Sequence, residues 1–197
     1  PLYSSAASDV YKRQPKGVSS FVTVQEGCDK FCSFCVVPYT RGPEYSRSFN
    51  SIKDEVNSMV NNGAREIVLL GQNVNAYQFK NSNKIYRLSD LIDKLTAIRD
   101  LKRIRYTTSH PLDMDQDLIL AHKSIKKLMP YLHLPIQSGS DNILKKMNRR
   151  HTASEYLRII ELVRKYCEDI AISSDFIVGH PGETKEDHKK TLDFTMI

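Results

Sequence analysis

Residues 21–35 read FVTVQEGCDKFCSFC, a short β-rich run that leads straight into three cysteines. Cys28, Cys32 and Cys35 have the spacing C-x3-C-x2-C, and no fourth cysteine lies nearby. Three thiolates on one short loop can hold three irons of a cubic [4Fe–4S] cluster. The fourth iron would then have no protein ligand and would be open to a small molecule that binds through nitrogen and oxygen. The spacing therefore indicates chemistry rather than a structural scaffold.

Two simpler interpretations of the cysteines fit the sequence less well. A structural zinc site usually has four ligands, commonly in two separated pairs, and the nearest histidine in sequence is the distant His110. A disulfide framework would leave one of the three clustered thiols unpaired, and no secretory signal is expected here. We expect Cys167, the fourth cysteine, to be a small buried hydrophobe. Zinc and free thiols stay open as alternatives to the cluster.

Length and composition predict one globular domain or part of one. The 197 residues are 40% hydrophobic and 26% charged, and no apolar run reaches the length of a membrane helix. Clustered reduced thiols favour a cytoplasmic protein. The net charge of +6 and the pI of about 9.1 favour a polyanionic partner. Three cationic clusters, at 99–105, 123–127 and 145–150, are consistent with contact to RNA.

The chain alternates strand and helix patterns after an atypical start. Residues 1–14 show no periodicity, and we expect a non-native or disordered leader there, followed by a core domain over 15–197. Strands are predicted at 21–25, 66–70, 103–107, 131–134 and 170–178. Helices are predicted after caps at Ser51, Ser89, Thr152 and Thr184, and over 115–127.

Five strands separated by helices predict parallel βα units and an α/β fold. Each strand is followed by a loop that carries cysteine or other polar side chains, and α/β barrels place their active sites at these carboxyl ends. A dinucleotide-binding fold is disfavoured, because no G-x-G-x-x-G follows the first strand.

Several stretches together resemble the MiaB-type tRNA methylthiotransferases, a branch of the radical S-adenosylmethionine enzymes. The aromatic Phe34 directly before Cys35 is typical of the wider superfamily. The resemblance runs from about residue 19 to the end of the chain. The matching stretches are 26–42 EGCDKFCSFCVVPYTRG, 69–75 LLGQNVN, 107–111 TTSHP, 133–140 HLPIQSGS, 147–152 MNRRHT and 173–179 SSDFIVG.

This resemblance implies a fold and a reaction. The fold is a partial, TIM-like (β/α) barrel of six units, of which about five are expected here. The reaction is methylthiolation at C2 of N6-isopentenyladenosine beside the tRNA anticodon, through a 5′-deoxyadenosyl radical made from S-adenosyl-L-methionine at the [4Fe–4S] cluster. A second [4Fe–4S] cluster in an N-terminal domain would supply the sulfur. Because that domain and a C-terminal RNA-binding domain are absent here, we expect this chain alone not to complete the reaction.

The resemblance also implies partners and binding residues. The partners are tRNA and a small electron donor such as flavodoxin or ferredoxin, and the protein is expected to be a monomer. Cys28, Cys32 and Cys35 would ligate the cluster. The candidates for holding S-adenosylmethionine are Phe34 beside the adenine, Gln72 and Asn73 on the amino group, Gln137 and Ser138 on the ribose or carboxylate, and Arg149 as a carboxylate clamp.

Four further residues lie at or near strand ends. We interpret His110 and His133 as core histidines rather than iron ligands. Asp175 falls inside a predicted barrel strand, where a carboxylate needs a partner. His180 departs from the family pattern, in which an aromatic residue, usually Phe, is expected at this place.

Three other functions stay open. One sister branch methylthiolates an aspartate of a ribosomal protein, and a related branch acts on threonylcarbamoyl-adenosine in tRNA. A non-catalytic iron–sulfur electron carrier belongs to a different class. Such carriers normally close all four irons with cysteine.

Overall fold

The computed structural model describes residues 17–82 and 84–196, so the expected leader at 1–14 lies outside the described residues. The strands, in chain order, are β1 (Ser19–Thr23), β2 (Gln25–Glu26), β3 (Tyr45–Ser46), β4 (Glu66–Leu70), β5 (Gln78–Asn81), β6 (Lys84–Arg87), β7 (Arg103–Tyr106), β8 (Tyr131–His133) and β9 (Ala171–Ser173). The helices are α1 (Val37–Arg41), α2 (Phe49–Asn61), α3 (Leu88–Leu95), α4 (Gln116–Ser124), α5 (Asp141–Lys146), α6 (Ala153–Tyr166) and α7 (Lys185–Thr195).

Five parallel strands follow one another in chain order. Strand β1 pairs with β4 and β4 with β7, so that Val22, Leu69 and Tyr106 lie level across the sheet. The chain then runs beside β7 again, where the Ile104 amide donates to the Lys127 carbonyl at 2.7 Å, before it enters β8, which pairs with β9. Over the described residues the array is open rather than closed. This is the partial barrel that the sequence predicts.

The core lies between this array and the helices. Alternate strand residues point to the helices and are fully buried, because strand side chains alternate between faces. These strand residues pack in one cluster with the apolar stripes of α2 and α3. The members on the strands are Val22, Ile67, Leu69, Ile104 and Leu132, and those on the two helices are Ile52, Val56, Val60, Leu91, Ile92 and Leu95.

Helix starts agree with the sequence in two places and differ in two. Thr152 and Thr184 cap α6 and α7, as predicted. Helix α2 begins at Phe49 rather than after Ser51, because the extended Ser48 accepts the Ser51 amide. Helix α3 begins at Leu88, one residue before the predicted cap Ser89, and the Asp90 carboxylate accepts the Arg87 amide.

Strand β9 is shorter than the predicted strand at 170–178. Beyond Ser173 the Ser174 hydroxyl, rather than a backbone carbonyl, accepts the Ile136 amide. Parallel pairing returns only as an isolated bridge between Gln137 and Phe176. The hairpin of β5 and β6 was not predicted, nor were the short elements β3, α1 and α5. None of the helices described is both long and apolar enough to cross a membrane.

Candidate functional site

The cysteine loop joins β2 to α1 at the carboxyl end of the parallel strands. Cys32 is buried and Cys28 and Cys35 are half-buried, all as free thiols. Burial, with the nearby charge of Glu44, raises the pKa of the Cys28 thiol. In residues 17–82 and 84–196, no three His, Cys, Asp or Glu side chains are gathered closely enough to share one metal ion.

A tight backbone contact starts the loop at Gly27. Its φ is +74°, and a Cβ at this position would lie 2.0 Å from the Pro43 carbonyl oxygen. The next amide, of Cys28, donates to the Gly42 carbonyl at 3.1 Å. Only glycine fits this combination of conformation and close approach. The first residues of the loop therefore pack directly against Gly42 and Pro43, which follow α1.

Gln25 connects the loop to the end of β4 from a fully buried position. Its Nε2 donates to the Gly27 carbonyl at 2.7 Å and to the Glu26 carbonyl at 3.1 Å. Its Oε1 accepts the Asn73 amide at 2.9 Å. One side chain thus satisfies three backbone groups from two loops, and sequence reasoning missed it.

The predicted cofactor residues Gln72 and Asn73 both lie beside the cysteine loop. Gln72 Oε1 accepts the Gly27 amide at 2.7 Å. The Asn73 Nδ2 group donates to Asp113 at 2.7 Å and to Glu44 at 3.2 Å. Asn73 Oδ1 is buried and has no hydrogen-bond partner. It is an open acceptor of the kind that an ammonium group requires.

Two acidic residues extend this network to the loop itself. Asp113 pairs with Lys30 at 2.8 Å, and Glu44 exchanges weaker hydrogen bonds with the backbone and side chain of Asp29. Both carboxylates also accept from Asn73. An ion pair and hydrogen bonds therefore link the charged side chains of the cysteine loop to the loops that follow β4 and β7.

Arg149 reaches the site from the loop that follows α5. The residue is 7% exposed, and its Nη1 lies 3.7 Å from the Cys32 sulfur. Its Nη2 donates to the Pro135 carbonyl, while Nε is buried without a hydrogen-bond partner. Nε is thus an open donor, complementary to the open acceptor of Asn73.

Two histidines pack in the same region and stay neutral. His110 is buried and accepts the Leu112 amide on Nδ1, and its ring lies 5.8 Å from that of His151. Burial, reinforced by the charge of Arg149, lowers the pKa of His110 to about 2 and that of His151 to about 4. The placement of His110 fits the core role expected from the sequence.

The other predicted cofactor residues are placed differently from one another. Phe34 is 41% exposed on the cysteine loop, so core packing does not account for it. Gln137 has a φ of +82° and bridges by its backbone to Asp175 and Ile177. Ser138 is fully buried, and its hydroxyl bonds Thr191 of α7 and the Ser140 amide. The structure does not bring Ser138 to the cysteine loop, and its cofactor role stays a prediction.

A hydrogen-bonded chain lines β8 and β9 and reaches Asp175. Asp175 lies beyond β9 with its side chain 66% exposed, so the expectation of a carboxylate inside a barrel strand is wrong, and its partner is not required by burial. Tyr131 contacts the Ser173 hydroxyl at 2.7 Å, and that hydroxyl contacts His133 Nδ1 at 2.8 Å. His133 Nε2 lies 3.4 Å from the Asp175 carboxylate. His180 lies 3.4 Å from the Ser33 hydroxyl and so touches the cysteine loop.

The cationic clusters are in part structural rather than free to contact RNA. Arg103 and Arg105 both pair with Glu66, and Lys127 donates to the carbonyls of Thr96 and Ile98. Arg149 is buried and contacts Cys32 of the cysteine loop. The RNA-contact prediction therefore applies to fewer residues than the sequence clusters contain.

The open polar atoms test whether the site fits the expected cofactor. S-adenosylmethionine carries an ammonium and a carboxylate on one carbon. Asn73 Oδ1 is an open acceptor for the ammonium, and Arg149 Nε is an open donor for the carboxylate. Both side chains contact residues of the cysteine loop or the segment that follows it. The residues therefore fit the group.

Comparisons with known proteins give the same class. Residues 22–195 match the family model of the radical SAM superfamily. The chain is 58% identical over 182 residues to the tRNA-2-methylthio-N(6)-dimethylallyladenosine synthase of Pelagibacter ubique, covering 92% of the chain and 41% of that protein. It is 59% identical over 180 residues to the synthase of the same name from Rickettsia canadensis, covering 91% of the chain and 40% of that protein.

Solved structures support the fold. The cobalamin-dependent radical enzyme OxsB, with S-adenosylmethionine bound, superposes with a TM-score of 0.71 at 16% identity over 91% of the chain and 26% of that protein. The methyltransferase TsrM from Kitasatospora setae gives 0.70 at 19% identity over 96% of the chain and 36% of that protein. The chain spans about two fifths of the curated relatives it matches. With the cysteine loop at the carboxyl ends of an open parallel array, these matches show that the chain belongs to the radical SAM superfamily.

Proposed function

We propose that the protein methylthiolates C2 of N6-isopentenyladenosine in tRNA, and that this chain is the part that generates the radical. The observation that carries this proposal is the identity of 58–59% to synthases of that name over more than 90% of the chain. The cysteine loop, with three thiols and no fourth cysteine nearby in the sequence, is consistent with it. When bound, the cluster and S-adenosylmethionine would supply the radical that breaks the adenine C–H bond.

The chain's own residues bind and orient the cofactor. Cys28, Cys32 and Cys35 hold the cluster, and Phe34 covers the adenine. The amino group is held by Asn73, which Gln25 positions through its backbone. The carboxylate is held by Arg149. Gln72 accepts the Gly27 amide and so holds the start of the loop in place. In this proposal Gln72 shapes the site rather than contacting the cofactor. We also propose that Gln137 contacts the ribose.

Further parts of the proposal concern the whole protein. A second cluster, outside residues 15–197, supplies the sulfur, and tRNA is bound in part by another domain. A flavodoxin or ferredoxin donates the electron, and the protein acts as a monomer in the cytoplasm, where the tRNA substrate is found.

Anaerobic reconstitution with iron and sulfide tests the radical class. Low-temperature EPR of the reduced protein should show a [4Fe–4S] signal that shifts when S-adenosylmethionine is added. Changing all three cysteines of the loop to alanine should remove it. An EPR signal that does not change when S-adenosylmethionine is added would instead indicate an electron carrier.

The substrate is tested separately with the full-length protein. Mass spectrometry of nucleosides should show methylthio-isopentenyladenosine after incubation with isopentenylated tRNA. Modification of threonylcarbamoyl-adenosine or of a ribosomal protein, without this product, would assign the protein to one of the sister branches.

A further inference from the structure

A segment far along the chain holds the cysteine loop on both sides of Cys32. The Ser33 amide donates to the Met147 carbonyl at 3.0 Å, and Asn148 Nδ2 donates to the Phe31 carbonyl at 2.8 Å. Asn148 has a φ of +58°, a left-handed conformation that asparagine tolerates. Arg149 follows directly and reaches the Cys32 sulfur. The segment 147–149 therefore fixes both the loop backbone and the position of one charged side chain.

The charge of Arg149 has no acidic partner among the described residues, since none of their ion pairs includes it. A buried cation without a counter-ion is costly. The neighbouring rings of His110 and His151 are neutral and do not offset the charge. The Cys32 sulfur, 3.7 Å from Nη1, is the atom that would do so as a thiolate. A charged N–H donor on a thiolate makes a strong hydrogen bond.

We propose that Arg149 raises the reduction potential of the cluster held by this loop, by donating a hydrogen bond from its guanidinium to the Cys32 thiolate. The inference rests on the proposed function, because it requires a cluster on these cysteines. Hydrogen bonds to cluster sulfurs are one of the ways in which proteins set such potentials. Reduction adds one electron from an iron–sulfur or flavin donor, which is itself oxidised by one electron, and makes the thiolates more negative. A fixed cation at Cys32 therefore stabilises the reduced form more than the oxidised form.

This role differs from that of a carboxylate clamp, which uses the open Nε and acts only when S-adenosylmethionine is present. The two roles use different atoms of one guanidinium. They are separable, because the effect on the potential is present without S-adenosylmethionine.

The test is a potentiometric titration with dithionite, followed by EPR, on the anaerobically reconstituted full-length protein without S-adenosylmethionine. The signal of this cluster is the one that a Cys32→Ala variant lacks. In Arg149→Met, which removes the charge and the donors, the reduced-to-oxidised ratio at the wild-type midpoint should fall about tenfold, or about 59 mV for a one-electron couple. The matched control is Arg150→Met, which removes the same charge from the exposed neighbouring residue and should leave the midpoint unchanged.

Arg149→Lys provides a second variant that keeps the charge but loses the forked donor geometry. The midpoint potential of its cluster should fall between those of wild type and Arg149→Met. If Arg149→Met does not retain its cluster, the midpoint potential of Arg149→Lys tests the inference instead. A wild-type midpoint in Arg149→Lys or in Arg149→Met, at equal iron content, would overturn the inference, as would an equal shift in Arg150→Met. A wild-type protein that forms no cluster on these cysteines would overturn the proposed function as well.

Discussion

Replacing Gln25 by leucine should destabilise the protein and open the cysteine loop. The side chain is 0% exposed and bonds three backbone groups, at Glu26, Gly27 and Asn73. Leucine has a similar volume but no polar atoms, so the variant leaves the Gly27 carbonyl and the Asn73 amide buried and unpaired. Each unpaired buried group costs about 1–3 kcal/mol, which gives a loss of roughly 2–6 kcal/mol in the free energy of unfolding.

Urea unfolding measures this loss. With a slope of about 2 kcal/mol/M, a loss near 4 kcal/mol lowers the unfolding midpoint by about 2 M. The iron bound after reconstitution gives a second readout, because Gln25 positions the start of the cysteine loop. Gln78→Leu is the matched control, since Gln78 is exposed on β5 and its side chain makes no hydrogen bond to the described residues. A Gln25→Leu protein that unfolds with wild type and binds the same amount of iron would refute the reasoning.

Two further changes have predictable results. Gly27→Ala would place a methyl group 2.0 Å from the Pro43 carbonyl oxygen at a φ of +74°, so the variant should bind much less iron after reconstitution. Gly63→Ala shares the backbone strain, at a φ of +107°, but meets no atom within 4 Å, so it should still bind the normal amount of iron. Hydrogen bonds from Ser140 and then Thr184 hold the pKa of Asp187 below its ordinary value of 3.8, so its contribution to stability is complete above that pH and is lost as the pH falls below it. Urea midpoints at pH 6 and pH 3 should therefore differ less in Asp187→Asn than in wild type, and an equal difference would contradict this assignment.

The strands were predictable where burial alone specifies them. After Glu66, the run at Glu66–Leu70 is apolar on both faces, and the structure gives the predicted strand without change. The hairpin of β5 and β6 was missed because its residues are mostly exposed, so their pattern carries no apolar period. The early end of β9 was missed because a side chain, Ser174, replaces a backbone acceptor. No propensity or periodicity reports such an exchange.

The site was predictable where a motif specifies it. Gln72, one of the amides after β4, contacts the start of the cysteine loop, as the motifs indicated, whereas the cluster-ligand role of the three cysteines stays a prediction. Gln25, Glu44 and Asn148 were missed, because their partners are backbone groups or polar atoms of loops distant in sequence. A polar residue at a strand end, such as Gln25, gives the same sequence signal as an ordinary turn residue. Its complete burial is visible only once β4 is placed beside β1.

The hydrogen bonds between segment 147–149 and the cysteine loop have a consequence for the order of folding. Arg149 and Cys32 are separated by 117 positions, as are Asn148 and Phe31. Contacts of such sequence separation form late, since the entropy of closing the intervening chain must be overcome first. During synthesis, the cysteines therefore leave the ribosome long before the side chains that hold them. Until segment 147–149 has been synthesised, the thiols lack the contacts that hold the cysteine loop. The nascent chain is therefore more exposed to wrong metals and to oxidation than the folded protein is.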